Sequence, residues 1–192
     1  VYALTVNKGT GIASVSGAGN YISGRSVSIS ATASTGYTWS KWTVSAGSTP
    51  ASTTTASTTV TVSAATTLVA NATANALTFS AQSKSITYST GSQTVTITGA
   101  SNGTGTYTYS EVSEKNASGT ATSYFTISGT KITAAAKTPA GTYTYTVRAT
   151  DSNSKVTKDA AITIIVGKQK VNAPTGVTVG TDGKVTWTAS SN

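Results

Sequence analysis

The sequence has no His, no Cys and no Met, and only five of its 192 residues are Asp or Glu. Without His and Cys there is no imidazole base, thiolate nucleophile, usual zinc ligand set or disulfide framework. Helix is equally disfavoured. Only 9% of residues are charged, whereas about 70 are Ser or Thr, 18 are Gly and 9 are Tyr, a balance that suits half-buried strands and turns. No stretch approaches the ~18 apolar residues of a membrane span, so no membrane insertion is expected. The longest apolar run, Ala160 to Val166, is interrupted by Thr163 and has strand length. A chain of 192 residues has room for two or three small β modules, and an all-β protein built of such modules in tandem is expected.

The formal charge of +8 comes from 13 Lys and Arg against Glu111, Glu114, Asp151, Asp159 and Asp182. It is spread thinly, with +3 over residues 1–76, +3 over 77–167 and +2 over 168–192. A nucleic-acid footprint needs clustered bases interleaved with stacking aromatics. The tightest cluster here is Lys168-Gln-Lys170 in a linker-like stretch, so nucleic acid is not an expected partner. A Ser/Thr-rich, Cys-free β composition fits export to the cell surface or medium, where folding proceeds without disulfides. The start at Val1, with no Met and no basic-then-apolar leader, reads as a piece of something longer.

Period-two alternation begins at once. Tyr2, Leu4 and Val6 share a face before the turn Asn7-Lys-Gly9, and Ile12 to Val15 makes a short strand before Gly17-Ala-Gly19. Ser26 to Ala33 sets Val27, Ile29, Ala31 and Ala33 against Ser and Thr, one face buried and one wet. After Gly36-Tyr-Thr-Trp-Ser-Lys-Trp42 comes a loose Ser/Thr-rich loop from Ala46 to Ser57, then strands around Val60–Val62 and Leu68–Ala70. About six strands complete a unit near Asn75. Its segments Tyr2-Ala-Leu-Thr-Val6, Gly24-Arg-Ser-Val-Ser-Ile-Ser-Ala31, Gly36 to Trp42 and Thr66-Thr-Leu-Val-Ala70 resemble the divergent internalin-type B repeat over residues 1–75. Trp39 stands where that family usually has Phe. The resemblance implies a compact, β-grasp-like module of bacterial surface proteins, often in tandem, with no catalytic residues.

The second unit, residues 76–167, places Leu77 with Phe79, Val95 with Ile97, Tyr107 with Tyr109, Phe125 with Ile127, Tyr143 with Tyr145, Val147 and Ala149, and Ile162 with Ile164 and Val166 on shared faces. Seven short strands at this spacing read as a β-sandwich. The stretch Pro139 to Asn153 and the strand Ala161-Ile-Thr-Ile-Ile-Val166 are similar to the closing strands of bacterial Ig-like and cadherin-like repeats. Residues 168–192, with Ala173-Pro-Thr-Gly-Val-Thr-Val179, a Gly180 to Gly183 turn and Lys184-Val-Thr-Trp-Thr188, resemble the first two strands of a fibronectin type III module. In that resemblance Trp187 takes the place of the core Trp and should be at least partly covered. About a quarter of such a module is present, so either a third domain is cut short or the strands lean on the second unit.

Candidate sites are few. Tyr37 and Trp39 share a strand face and could stack on a sugar ring; strict alternation puts Trp42 on the other face, in the core, unless a bulge resets the register. Glu111 and Glu114 are the only close carboxylate pair and read as a solvated loop edge rather than an acid and base. Calcium needs six to eight oxygens, and only Asp151 and Asp159 are near one another, flanked by Lys155 and Lys158. Asp151-Ser-Asn153 therefore reads as a turn whose side chains cap local amides. A Lys84–Asn isopeptide bond lacks an Asn in Ala160–Val166, and the glycosylation-type triplets at Asn71, Asn102 and Asn116 arise readily by chance in so Ser/Thr-rich a chain. No catalytic residue, cofactor or metal is expected. The sequence reads as a monomeric, non-catalytic stalk segment whose partners are neighbouring modules of a larger surface protein, and it contributes to adhesion; the alternative is a carbohydrate- or host-protein-binding module.

Overall fold

A computed structural model describes residues 1–169 and 173–189. Every regular element among them is a strand. Residues 170–172, at the end of the linker-like stretch around Lys168, and 190–192 of the third segment lie outside the described residues. The chain divides into two compact units. The first comprises Val1–Phe79 with Ala100–Thr108 and Ala149–Lys158; the second comprises Ser80–Gly99, Tyr109–Arg148 and the segment from Asp159 onward.

Seven strands open the first unit: β1 (Tyr2–Lys8), β2 (Ile12–Ser16), β3 (Gly19–Tyr21), β4 (Arg25–Ala33), β5 (Tyr37–Ala46), β6 (Ser57–Val62) and β7 (Thr66–Ala74). They form two sheets, of order β3-β1-β7-β5 and β2-β4-β6. β3 is the addition to the sequence reading. It begins at Gly19, in what looks like turn sequence, and pairs antiparallel with β1 from Tyr2↔Tyr21 to Leu4↔Gly19. The alternating positions bury as the pattern requires: Leu4, Val6, Val27, Ile29, Ala31, Val60, Val62, Leu68 and Ala70 gather around Trp42. Each fully covered Val, Leu or Ile side chain contributes ~1.5–3 kcal/mol.

Within the same unit the Gly36 turn meets the loop at residues 102–104. Gly36 has φ 79°, and a Cβ there would strike the backbone of Gly103 and Thr104, so both conformation and space demand glycine. Asn75 N donates to Gly36 O at 2.9 Å, and Asn102 Nδ2 donates to Ala76 O at 3.0 Å.

The later strands are β8 (Gln82–Ile86), β9 (Gln93–Thr96), β10 (Tyr107–Asn116), β11 (Phe125–Ser128), β12 (Lys131–Ala134), β13 (Gly141–Asp151) and β14 (Thr157–Val166). Their sheet orders are β10-β13-β14-β8 and β11-β12-β9, two antiparallel-rich layers as a sandwich requires. Phe125 of β11 meets Tyr143 of β13 edge-on at 5.2 Å and leans on Tyr145 at 5.9 Å, joining the layers through aromatic rings. Leu77 and Phe79 are buried, but outside any strand; Thr78 between them makes an isolated bridge to Ser101.

The last hairpin, β15 (Thr175–Val179) with β16 (Val185–Thr188), differs from expectation. Every residue in it is exposed, and Trp187 keeps 62% of its surface in solvent. A two-stranded ribbon offers no second layer, so most of the Trp stays in solvent.

Candidate functional site

The aromatic cluster on β5 is reorganised by a bulge. Along the β5–β7 ladder the register runs Tyr37↔Ala74, Thr38↔Thr73, Trp39↔Ala72 and then Lys41↔Asn71, Trp42↔Ala70. Ser40 drops out of register, and the slip brings Trp42 to the same face as Trp39. The two indoles stand edge to face, 5.2 Å apart and 61° between planes. Opposite all three rings β7 offers only alanines, at 70, 72 and 74, whose small side chains leave room for them. Trp42 is 2% exposed and forms the centre of the core. Strict alternation would have put it on the opposite face from Trp39.

Both indole N–H groups donate into the loop between β5 and β6: Trp39 Nε1 to Thr54 O at 2.8 Å, and Trp42 Nε1 to Thr55 O at 3.0 Å. Trp42 N donates to Thr53 O at 2.7 Å as well. The Ala46–Ser57 segment, loose by composition, is thus held by three bonds to the aromatic strand. Tyr37 is half-buried, its ring lying over Gly11, where φ is 77° and a Cβ would overlap the ring. Trp39 is half-buried too and packs on the core. Each of the two expected sugar-stacking rings therefore has part of its surface taken up by the fold, and the tilt between the indoles breaks any flat platform.

The carboxylates lie apart and are put to structural use. Asp151 is fully buried and accepts from Thr104 N (2.6 Å), Thr104 Oγ1 (2.7 Å), Asn153 N (3.1 Å), Ser154 N (2.8 Å) and Ser154 Oγ (3.0 Å). Burial alone would raise this carboxyl, but the bonds donated by Ser154 and Thr104 outweigh it and hold the group well below the usual carboxylate range. The local amide caps match the turn read from Asp151-Ser-Asn153; the tie to Thr104 was not visible in the sequence. Asp159 faces the Arg148 fork instead, at 2.8 and 2.9 Å. Among the described residues no three His, Cys, Asp or Glu side chains are grouped for a metal.

Glu114 corrects the solvated-edge reading. It is 3% exposed, with Oε1 accepting from Tyr124 N at 2.7 Å and Oε2 from Phe125 N at 2.9 Å. The turn at Asn116, whose Oδ1 takes Ser118 N and Thr120 N, folds the chain back so that those amides arrive at the carboxylate. The Asn116-Ala-Ser-Gly119 turn signal was the one local hint. Glu111 is exposed, as expected, and receives the Tyr145 hydroxyl at 3.3 Å. Burial first, then the Glu111 carboxylate, push the Tyr145 phenol up. Lys84 lies on β8 opposite Ile164. Asn71 Nδ2 is taken up by Lys41 O, Thr43 Oγ1 and Val69 O.

Residues 2–76 match the family described as the divergent InlB B-repeat domain. No curated protein matches the chain. Among solved structures, Sidekick-1 immunoglobulin domains 1–5 align over 83% of this chain at 12% identity and a TM-score of 0.33. This chain spans 38% of that structure's length. The tandem Ig repeats of Dlar align at 10% identity over 88% of this chain and 96% of theirs, with a TM-score of 0.30. A tandem Ig pair from titin aligns at 12% identity over 88% and 95%, with a TM-score of 0.31. Likeness this faint carries no argument, and the all-β assignment stands on the strands themselves. Among the described residues no helix is long and apolar enough to cross a membrane.

Proposed function

We propose that this chain is a non-catalytic stalk segment of an exported bacterial cell-surface protein. It is a series of modules, 1–75 and 76–167 followed by a fibronectin-like segment at 168–192, that extends a neighbouring region from the surface and so serves adhesion. Its partners are the adjoining modules, and it acts as a monomer outside the membrane. One observation carries the reading: the two buried carboxylates and the paired indoles are spent on the chain's own backbone. Asp151 holds the amides of Thr104, Asn153 and Ser154, Glu114 those of Tyr124 and Phe125, and the two indoles the carbonyls of Thr54 and Thr55. A nucleophile or acid–base pair needs a group left free to act on a substrate. Similarity of residues 2–76 to the B-repeat family supports the placement at a cell surface.

The half-exposed Tyr37 and Trp39 favour a second reading, a module that binds a glycan or a host protein. Titration against a glycan array and a panel of extracellular-matrix proteins separates the two. The stalk reading expects no saturable binding. A Kd tighter than about 100 μM, lost in Tyr37→Ala or Trp39→Ala, would replace it with the binding reading.

A further inference from the structure

In both seven-strand sets the first strand pairs in parallel with the last, and from this the geometry points to a load-bearing function: the chain is built to resist tension applied through its ends. This inference rests on the stalk reading. β1 pairs with β7 from Leu4↔Thr66 to Lys8↔Ala70, and Gly9 N extends the ladder to Ala70 O at 2.9 Å. β8 pairs with β14 from Gln82↔Ile162 to Ile86↔Val166, and Gly167 N extends that ladder to Ile86 O at 2.8 Å.

The chain enters each set through its first strand and leaves through its last. In a parallel pair, the entry end of one strand and the exit end of the other lie at opposite ends of the ladder. Tension between them drags the strands past each other lengthwise, so every hydrogen bond is loaded together and all must fail together. Had the two strands been antiparallel, both loaded ends would sit at the same end and the ladder would open one bond at a time. Tight hairpins, the commonest way to link strands, give only antiparallel neighbours. A parallel first–last pair therefore requires the intervening strands to carry the chain back.

The two ladders differ in shelter. β1 and β7 are the inner strands of their sheet, and Leu4, Val6, Leu68 and Ala70 are buried beneath them, so sliding must drag these side chains through the core. β8 is an edge strand with Gln82, Lys84 and Ile86 half-buried. Water can replace its bonds more readily. Gln82 staples that edge by donating Nε2 to Thr98 O at 2.8 Å and accepting Thr98 N at 2.7 Å. The β8–β14 set should yield first.

Single-molecule force spectroscopy tests this on the full chain held by its two ends. Two rupture events are expected, the earlier releasing at most about 300 Å of extended chain, for Gln82–Val166, and the later at most about 250 Å, for Tyr2–Ala74. The comparison is the double variant Thr35→Cys/Thr73→Cys, held at those two exposed positions. Its load falls on the same end of the antiparallel β5–β7 ladder and peels it from Tyr37↔Ala74 onward. The native chain has no Cys to compete for the handles. End-loading should rupture the first set at a force at least about twice that of peeling, because forced unfolding follows the barrier along the loaded direction. Equal or lower force on end-loading overturns the load-bearing inference and leaves the stalk reading in place. Saturable ligand binding overturns the stalk reading without altering the forces.

Discussion

Replacing Asp151 by Ala deletes the acceptor for five donors, three of them backbone amides, in a segment that joins Thr104 to residues 153 and 154. The amide of Asn153 is on an exposed residue and can rehydrate, but Thr104 N and Ser154 N bond in part-buried settings. A buried donor left without its partner costs about 1–3 kcal/mol, and bonds to an ionised group are the stronger kind, so Ala should destabilise the first unit by about 3–4 kcal/mol. Asn keeps one acceptor oxygen yet turns an amide group against a donor, and should cost about 2–3 kcal/mol. The pH dependence gives a second readout. The folded carboxyl titrates well below the unfolded value of about 3.9, so its contribution is complete above that pH and is lost on acidification, at about 1.4 kcal/mol per pH unit, until the folded value is passed. Asn does not titrate. Urea titrations followed by circular dichroism should therefore show the gap between native protein and Asp151→Asn shrinking from pH 7 to pH 2.5. A cost of Asp151→Ala below about 0.5 kcal/mol at pH 7, or a gap that stays constant with pH, would refute the reasoning.

Trp42→Ala should cost about 3–5 kcal/mol by urea denaturation, the range for emptying an aromatic core position; free quenching of Trp42 fluorescence by acrylamide would contradict its burial. Trp39→Phe keeps a ring but removes the donor to Thr54 O, so hydrogen exchange should accelerate within Ala46–Ser57 and stay unchanged in β1 and β7. Glu114→Ala strands the Tyr124 and Phe125 amides and should lower stability by about 2–4 kcal/mol in the same titration, whereas Glu111→Ala strands the Tyr145 hydroxyl alone and should cost less, about 1–2 kcal/mol. Chelator treatment should leave the melting temperature where it is; a drop reversed by calcium would locate a metal site near Asp151.

What the sequence determined by itself is whatever depends on neighbours along the chain. Alternation of Val27, Ile29 and Ala31, or of Tyr143, Tyr145 and Val147, states a strand and its buried face because the pleat repeats every two residues. The absence of His and Cys states which chemistries are missing. Tertiary structure decided everything that depends on which strand lies beside which. The bulge at Ser40 exists only in the pairing with β7, and it alone brings Trp42 onto the face of Trp39. Glu114 reads as a surface residue until the Asn116 turn returns two amides to it, and Asp151 meets Thr104 from 47 positions away. Trp187 shows the converse: its hairpin forms as its pattern predicts, but burial needs a second layer that a local pattern cannot supply. The parallel ladders β1–β7 and β8–β14 are the least local of all, joining the two ends of each strand set, and no period-two pattern carries the direction of a strand's partner.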